Sequence, residues 1–163
     1  MDEDAFRAFY DRTARGVWAY LARITADRQL ADDLLQETYY RFLRAAAAHD
    51  SEAHRRNSLY RIATNLARDS RRRRLTHPFE SAKETDLARL STRDHGSATE
   101  NRADFARAMS LLKPREREIL WLAYAEGASH QEIASVLGLR PASMKLLLFR
   151  ARRRLAALLE VKK

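Results

Sequence analysis

The sequence predicts an all-α protein made of two small helical domains joined by a flexible linker, the second domain being a helix-turn-helix. The chain of 163 residues contains only four Gly and three Pro, and such a scarcity of helix breakers favours long helices. Apolar residues recur at spacings of three and four, which is the helical period. This pattern fails between about residues 76 and 98, where small polar and charged residues dominate, as is typical of a linker. We therefore expect domains at 1–75 and 101–163, joined by a linker at 76–100.

Three helical segments are predicted in the first domain from the spacing of large apolar residues. The first is a helix or a helix pair that carries Phe6, Phe9, Tyr10, Val17, Tyr20, Leu21 and Ile24. The second runs from Asp32 to Ala48 and is expected to turn inward Leu34, Leu35, Tyr39, Phe42 and Leu43. The third is marked by Leu59, Ile62, Ala63 and Leu66.

Two charged features of this domain point to partners. The acidic and amide residues 32–37 lie near the predicted start of the second helix, where they complement the helix dipole and suit a basic partner. The third helix finishes in four consecutive arginines, Arg71 to Arg74. A helix C-terminus accounts for one or two basic residues. Four in a row on a basic chain indicate a surface that grips phosphate.

The second domain is predicted to end in a helix-turn-helix. Helical spacing resumes at Phe105, and the segment from Lys113 to Glu116 starts a further helix. Next, residues 129–137 form a short helix with one apolar face, Gly138 suits its end, and Pro141 suits the first turn of the last helix. The last helix would run to about residue 159 and span about 28 Å, enough to lay its first turns in a major groove of DNA.

Composition limits the classes of function. The net charge of +9 favours a polyanionic partner, without separating DNA from RNA or an acidic membrane. Zero Cys excludes disulfides, thiol catalysis and Cys-ligated zinc, and the five His are scattered, so we expect no metal and no cofactor. There is no run of about 18 apolar residues, and the N-terminus is acidic, so we expect a cytoplasmic protein without membrane insertion.

Three segments together resemble one family. Residues 30–44 look like an Ala-x-Asp-Leu-x-Gln-Glu helix, residues 59–74 like a Leu-Tyr-Arg-Ile-Ala-x-Asn stretch that ends in Arg-Arg, and residues 111–155 like a promoter-reading domain. In this order and spacing they resemble a bacterial RNA polymerase sigma factor of the sigma-70 family, in its extracytoplasmic-function (ECF) group. The resemblance implies a non-enzymatic factor that binds core RNA polymerase and directs promoter-specific transcription initiation. It also implies three partners: the polymerase through its β′ clamp and β flap, promoter DNA, and an anti-sigma factor.

The resemblance assigns roles to particular side chains. Those expected to meet the polymerase clamp are Asp32, Asp33, Leu34, Gln36 and Glu37. Those expected at the −10 element, where the duplex is opened, are Tyr60, Arg61, Asn65, Arg68, Arg71, Arg72, Arg73 and Arg74. Those expected at the −35 element are Arg115, Arg117, Ser143, Lys145, Phe149 and Arg150. For Tyr60, a half-buried place in the core is the alternative to base contact.

Two departures from the family pattern affect DNA reading. Ser58 stands where the group usually has Trp, which predicts weaker or altered base capture. Leu146 and Leu147 stand where polar residues commonly reach the major groove. Leucine can touch thymine methyl groups but cannot make the bidentate contact to guanine that Arg makes. A surface for a protein partner, ordinary core and base contact all remain open for these two residues.

Two other classes of protein fit part of the sequence. A free-standing regulator with a helix-turn-helix of the response-regulator output type fits residues 115–134 but leaves the N-terminal half unexplained. A helical nuclease would use Asp32, Asp33 and Glu37 as metal ligands, yet the sequence offers no second carboxylate cluster and no Gly-rich phosphate loop.

Overall fold

The computed structural model describes residues 1–45, 51–76 and 97–160. Within these ranges the chain forms helices and no strands, which confirms the all-α prediction. The helices are α1 (Glu3–Thr25), α2 (Arg28–Arg44), α3 (Glu52–Thr76), α4 (Ser97–Leu111), α5 (Pro114–Leu120), α6 (His130–Leu137) and α7 (Pro141–Glu160). A π-helical turn, Trp121–Ala125, extends α5. Most of the predicted linker lies outside the described residues, and its last residues, 97–100, belong to α4.

Aspartate side chains start the first two helices. Asp2 accepts a hydrogen bond from the Ala5 backbone N–H at 2.7 Å and caps α1, and Asp27 accepts from the Leu30 N–H at 3.0 Å and caps α2. Helix α2 therefore begins at Arg28, earlier than predicted. The acidic pair at 32 and 33 lies in the second turn, so the prediction that it complements the dipole at the helix start was wrong.

The N-terminal domain consists of α1, α2 and α3 packed around an aromatic core. The rings of Phe9 and Phe42 stack with their centroids 5.1 Å apart, and Tyr20 and Leu59 are fully buried. The Tyr20 hydroxyl and the Thr64 hydroxyl hydrogen-bond at 2.8 Å, which satisfies both polar groups inside the core. Leu43, predicted to face inward, is 49% exposed, because it lies about 100° around the helix from the buried Phe42.

The C-terminal domain consists of α4 to α7 and contains the predicted helix-turn-helix. Ser129 and Glu132 form a reciprocal capping box at the start of α6. Gly138 ends α6 with φ +70°, a left-handed conformation that suits glycine. Helix α7 then begins at Pro141 and buries Met144, Leu148 and Ala151 on one side.

The two domains are docked on each other. Helix α3 packs against α6, and α1 packs against α5. Buried apolar residues of both domains form one continuous cluster, so each domain covers part of the other. In the described residues no helix is both long and apolar enough to cross a membrane.

Candidate nucleic-acid interface

The outer face of α7 carries the polar residues predicted to reach DNA. Ser143, Lys145 and Arg150 are exposed, and Phe149 is 48% exposed. Met144 and Leu148 hold the opposite face in the core. Since a recognition helix reads base edges with its first turns, the side chains free to enter a major groove are those at the start of α7.

The helix that precedes α7 is held firmly at its first turn. The Glu132 carboxylate accepts a hydrogen bond from the Ser129 backbone N–H at 3.0 Å. This bond is the largest of the influences that lower the pKa of Glu132, and the Arg56 guanidinium lowers it further. The carboxylate therefore stays charged and holds the first turn of α6 in place.

The arginine run at the end of α3 divides into paired and free cations. Arg74 forms an ion pair with Asp27 at 2.7 Å, the carboxylate side chain being only 8% exposed. Arg72 lies 3.5 Å from Asp69 on the same helix. Arg71 and Arg73 are exposed, and no ion pair is found for them among the described residues. These two are the best placed of the four to meet phosphate.

Two other candidates on α3 contact the C-terminal domain. Arg68 forms an ion pair with Glu118 at 3.0 Å, with the side chains 20% and 2% exposed. Arg61 donates from Nε to the Ser135 backbone carbonyl at 3.1 Å and from Nη2 to its hydroxyl at 2.6 Å. In contrast, Asn65 remains exposed on α3.

Tyr60 is buried where α1, α3 and the end of the π-helical turn meet. It is 4% exposed, and burial together with the nearby Glu126 carboxylate raises its pKa. A Cβ at Gly16 would lie 2.9 Å from the Tyr60 hydroxyl and 3.0 Å from Oε1 of Glu126. The aromatic ring is thus a buried contact between the domains in this arrangement, so the alternative of a place in the core describes it.

A basic cleft of about 370 Å³ runs along the junction of the two domains. Its charged lining consists of Arg68, Arg71, Arg74, Arg117 and Glu118. Burial lowers the pKa of Arg117, and the charge of Arg71 lowers it further. Arg115 and Arg117 were both predicted to contact the −35 element. Arg117 lies at the domain junction, whereas Arg115 is exposed.

The acidic face of α2 is accessible. Asp32, Asp33 and Gln36 are exposed, and Oδ1 of Asp32 accepts a hydrogen bond from Nε1 of Trp18 at 2.7 Å. Glu37 pairs with Arg41 at 2.8 Å. Leu34 is 9% exposed and packs in the core, so its side chain anchors α2 to the rest of the domain.

Comparison with known proteins decides the family. The family model for Sigma-70 region 2 matches residues 9–76, and the family model for Sigma-70, region 4 matches residues 102–155. The chain belongs to the sigma-70 family. RNA polymerase sigma factor CarQ of Myxococcus xanthus is 30% identical over 157 residues, 96% of this chain and 90% of that protein. The ECF RNA polymerase sigma factor SigM of Bacillus subtilis is 31% identical over 155 residues, 91% of either chain.

Solved structures share the fold. The sigma factor RpoE of Bartonella quintana, in complex with the anti-sigma factor NepR, has a TM-score of 0.75 at 21% identity and covers 98% of this chain and 99% of its own. CnrH, in complex with the cytosolic domain of CnrY, has a TM-score of 0.73 at 24% identity and covers 99% and 92%. The matches to both sigma-70 regions and the likeness to SigM show that the chain is an ECF sigma factor that directs transcription initiation, as the sequence motifs predicted.

The departures from the family pattern lie at different depths in this sigma factor. Leu146 is 51% exposed, which excludes ordinary core for its side chain. Leu147 is partly buried and packs against the core. Ser58 is half-buried on α3.

The sequence did not single out the residues that join the two domains. Glu118 is buried at 2% exposure, and Glu126 and Ser135 contact arginines of α3 from the other domain. Glu118 belongs to an alternating Arg-Glu run that looks solvated in the sequence, although its place directly before the apolar residues Ile119 and Leu120 was a usable signal. In the described part of the chain, no three acidic or His residues lie close enough to share a metal ion.

Proposed function

We propose that this sigma factor binds core RNA polymerase through α2, reads the −10 element with α3 and reads the −35 element with α7, without catalysing a reaction itself. The observation that carries the proposal is the exposed polar and basic start of α7 in a capped helix-turn-helix. A surface of this kind fits a major groove. Binding energy from both domains would favour the open duplex, and the polymerase would perform the chemistry.

Two surfaces suit the polymerase. The first is the exposed acidic face of α2, formed by Asp32, Asp33 and Gln36 with Glu37 at its edge, which suits the clamp. The second is an apolar groove of about 370 Å³ on the C-terminal domain, which we assign to the β flap. Its lining residues are Phe105, Met109, Leu120, Trp121, Tyr124, Ala125 and Leu155. An apolar groove with polar residues at its rim is a typical site for an amphipathic helix.

The proposal includes an anti-sigma factor and a location in the cell. RpoE of Bartonella quintana and CnrH were both solved with protein partners, and a protein of the same kind is expected to control this chain. We place the factor in the bacterial cytoplasm, associated with the nucleoid when it is bound to polymerase. Leu146, exposed beside Phe149, is available to a protein partner or to thymine methyl groups.

A pair of substitutions tests the role of the arginine run. Changing Arg71 and Arg73 to Gln should weaken binding of duplex DNA and lower the slope of log K against log salt by about two units, because each arginine that no longer neutralises a phosphate accounts for about one unit. The measurement is a titration of fluorescently labelled DNA at several salt concentrations. The control changes Arg7 and Arg107 to Gln, which removes the same charge from exposed positions elsewhere. A slope equal to that of the control pair would show that Arg71 and Arg73 do not contact DNA phosphates.

A further inference from the structure

Leu146 lies at the centre of the outward face of α7. It follows the buried Met144 by two positions, which places it about 200° around the helix axis at 100° per residue. Leu148 and Ala151 are buried on the side of Met144, whereas the Leu146 side chain is 51% exposed. This leucine therefore points away from the core of its own domain and toward whatever α7 binds.

The surroundings of Leu146 are basic. Phe149 and Arg150 lie three and four positions further on, both exposed, so they neighbour Leu146 on the helix surface. The guanidinium carbon of Arg153 lies 5.8 Å from the centroid of the Phe149 ring. From residue 141 to 159 the helix carries no acidic residue. Leu146 and Phe149 thus form an apolar ridge of two side chains within a cationic face.

A face of this composition suits DNA better than it suits a protein. A stable protein interface buries about 800 Å² on each partner around an apolar centre, and a ridge of two side chains bordered by cations supplies only a small part of that. DNA offers phosphates to the cations. It also offers one apolar group in the major groove, the C5-methyl group of thymine. Because leucine forms no side-chain hydrogen bond, that methyl group is the feature of a base that it can recognise.

We propose that Leu146 is a specificity-determining residue that contacts the C5-methyl group of a thymine in the −35 element, with Phe149 bordering the contact. This inference rests on the proposed function, since it needs α7 to lie in the major groove. Leu146 lies about 7.5 Å along the axis from Pro141, within the turns that enter a groove. The −35 element then contains an A·T pair opposite Leu146, and the methyl group of its thymine contributes to affinity.

The test uses the full chain bound to core RNA polymerase. The probes are labelled duplexes that carry the −35 element found upstream of the transcription starts of this complex. Thymines of the element are replaced one at a time by deoxyuridine, which preserves the base pair and removes only the methyl group. Control duplexes carry the same replacement between the −35 and −10 elements. Affinity is measured by fluorescence anisotropy at one fixed salt concentration.

A double-mutant cycle between protein and DNA gives the expected result. For the parent chain, deoxyuridine at one thymine of the element should weaken binding about fourfold, the effect of losing one buried methyl group. Leu146→Ala should weaken binding of the thymine duplex by a similar factor and abolish the response to deoxyuridine at that position. Circular dichroism checks that this exposed substitution leaves the helices intact.

Leu159→Ala is the matched protein control. Leu159 is 38% exposed on the same helix and lies about 20 Å further along the axis than Leu146. This variant should bind the thymine duplex as the parent chain does and keep the full response to deoxyuridine. The comparison separates a contact at the start of α7 from a general effect of removing an exposed leucine.

Three results would overturn the thymine contact. In the first, the −35 element contains no A·T pair. In the second, no thymine of the element responds more strongly to deoxyuridine than the control positions do. In the third, Leu146→Ala responds as strongly as the parent chain. Defined transcription starts beside any of these results would leave the proposed function standing, whereas a chain that produces no defined starts would overturn both.

Discussion

Replacing Lys145 and Arg150 of α7 by Ala is expected to lower the affinity for the −35 element about a hundredfold, with core polymerase still bound. Both side chains are exposed in the first half of the helix, and a good hydrogen bond from a side chain to a base edge contributes about 1–3 kcal/mol. Removal of both side chains therefore accounts for a change of this size. The measurement is a binding titration with a promoter fragment that contains the −35 element, at one fixed salt concentration.

Arg154→Ala is the matched control for this pair. Arg154 is exposed on the same helix, but it lies about 20 Å along the axis from Pro141 at 1.5 Å per residue, beyond the turns that enter a groove. We expect it to change affinity by a few-fold at most. If Arg154→Ala weakened specific binding as much as the double variant did, α7 would contribute only general charge and would not read the element.

Leu59→Ala is expected to lower the free energy of unfolding by about 3–5 kcal/mol. Leu59 is fully buried in the core where α3 meets the other helices of its domain. Truncation of a buried Leu removes its burial free energy and leaves a cavity. Since a small domain has about 5–15 kcal/mol in total, this is the largest single effect on stability that we predict. Urea denaturation followed by far-ultraviolet circular dichroism measures it.

The same substitution at Leu75 provides the comparison. Leu75 lies on the same helix and is 77% exposed, so Leu75→Ala should change the free energy of unfolding by less than about 0.5 kcal/mol. The difference between the two variants isolates burial from helix propensity. Equal effects at both positions would mean that α3 does not pack as the structure shows.

Local signals explain which parts of the fold could be predicted. Ser129, Gly138 and Pro141 act through the backbone next to them, so the helix-turn-helix could be placed from the sequence. The start of α2 was missed because its cap, Asp27, directly follows Ala26, a non-glycine residue at positive φ that ends α1. The inward-facing residues were predicted well except at the end of α2, where Leu43 is exposed.

The contacts between the domains could not be predicted. Arg61 and Ser135 are 74 residues apart in the chain, and Arg68 and Glu118 are 50 apart. Nothing local distinguishes these arginines from the exposed Arg71 and Arg73. Charge alone indicated a surface for phosphate. Only the packing of α3 against α6 and the Arg68–Glu118 ion pair to α5 show that the C-terminal domain contacts part of this surface.

Mixing the purified chain with core RNA polymerase that lacks any sigma factor tests its function as a sigma factor most directly. We expect the two to co-elute on gel filtration and transcripts from genomic DNA to begin at discrete positions, whose alignment would reveal the −10 and −35 elements. A folded chain that binds DNA but neither co-elutes with the polymerase nor produces defined starts would contradict this function.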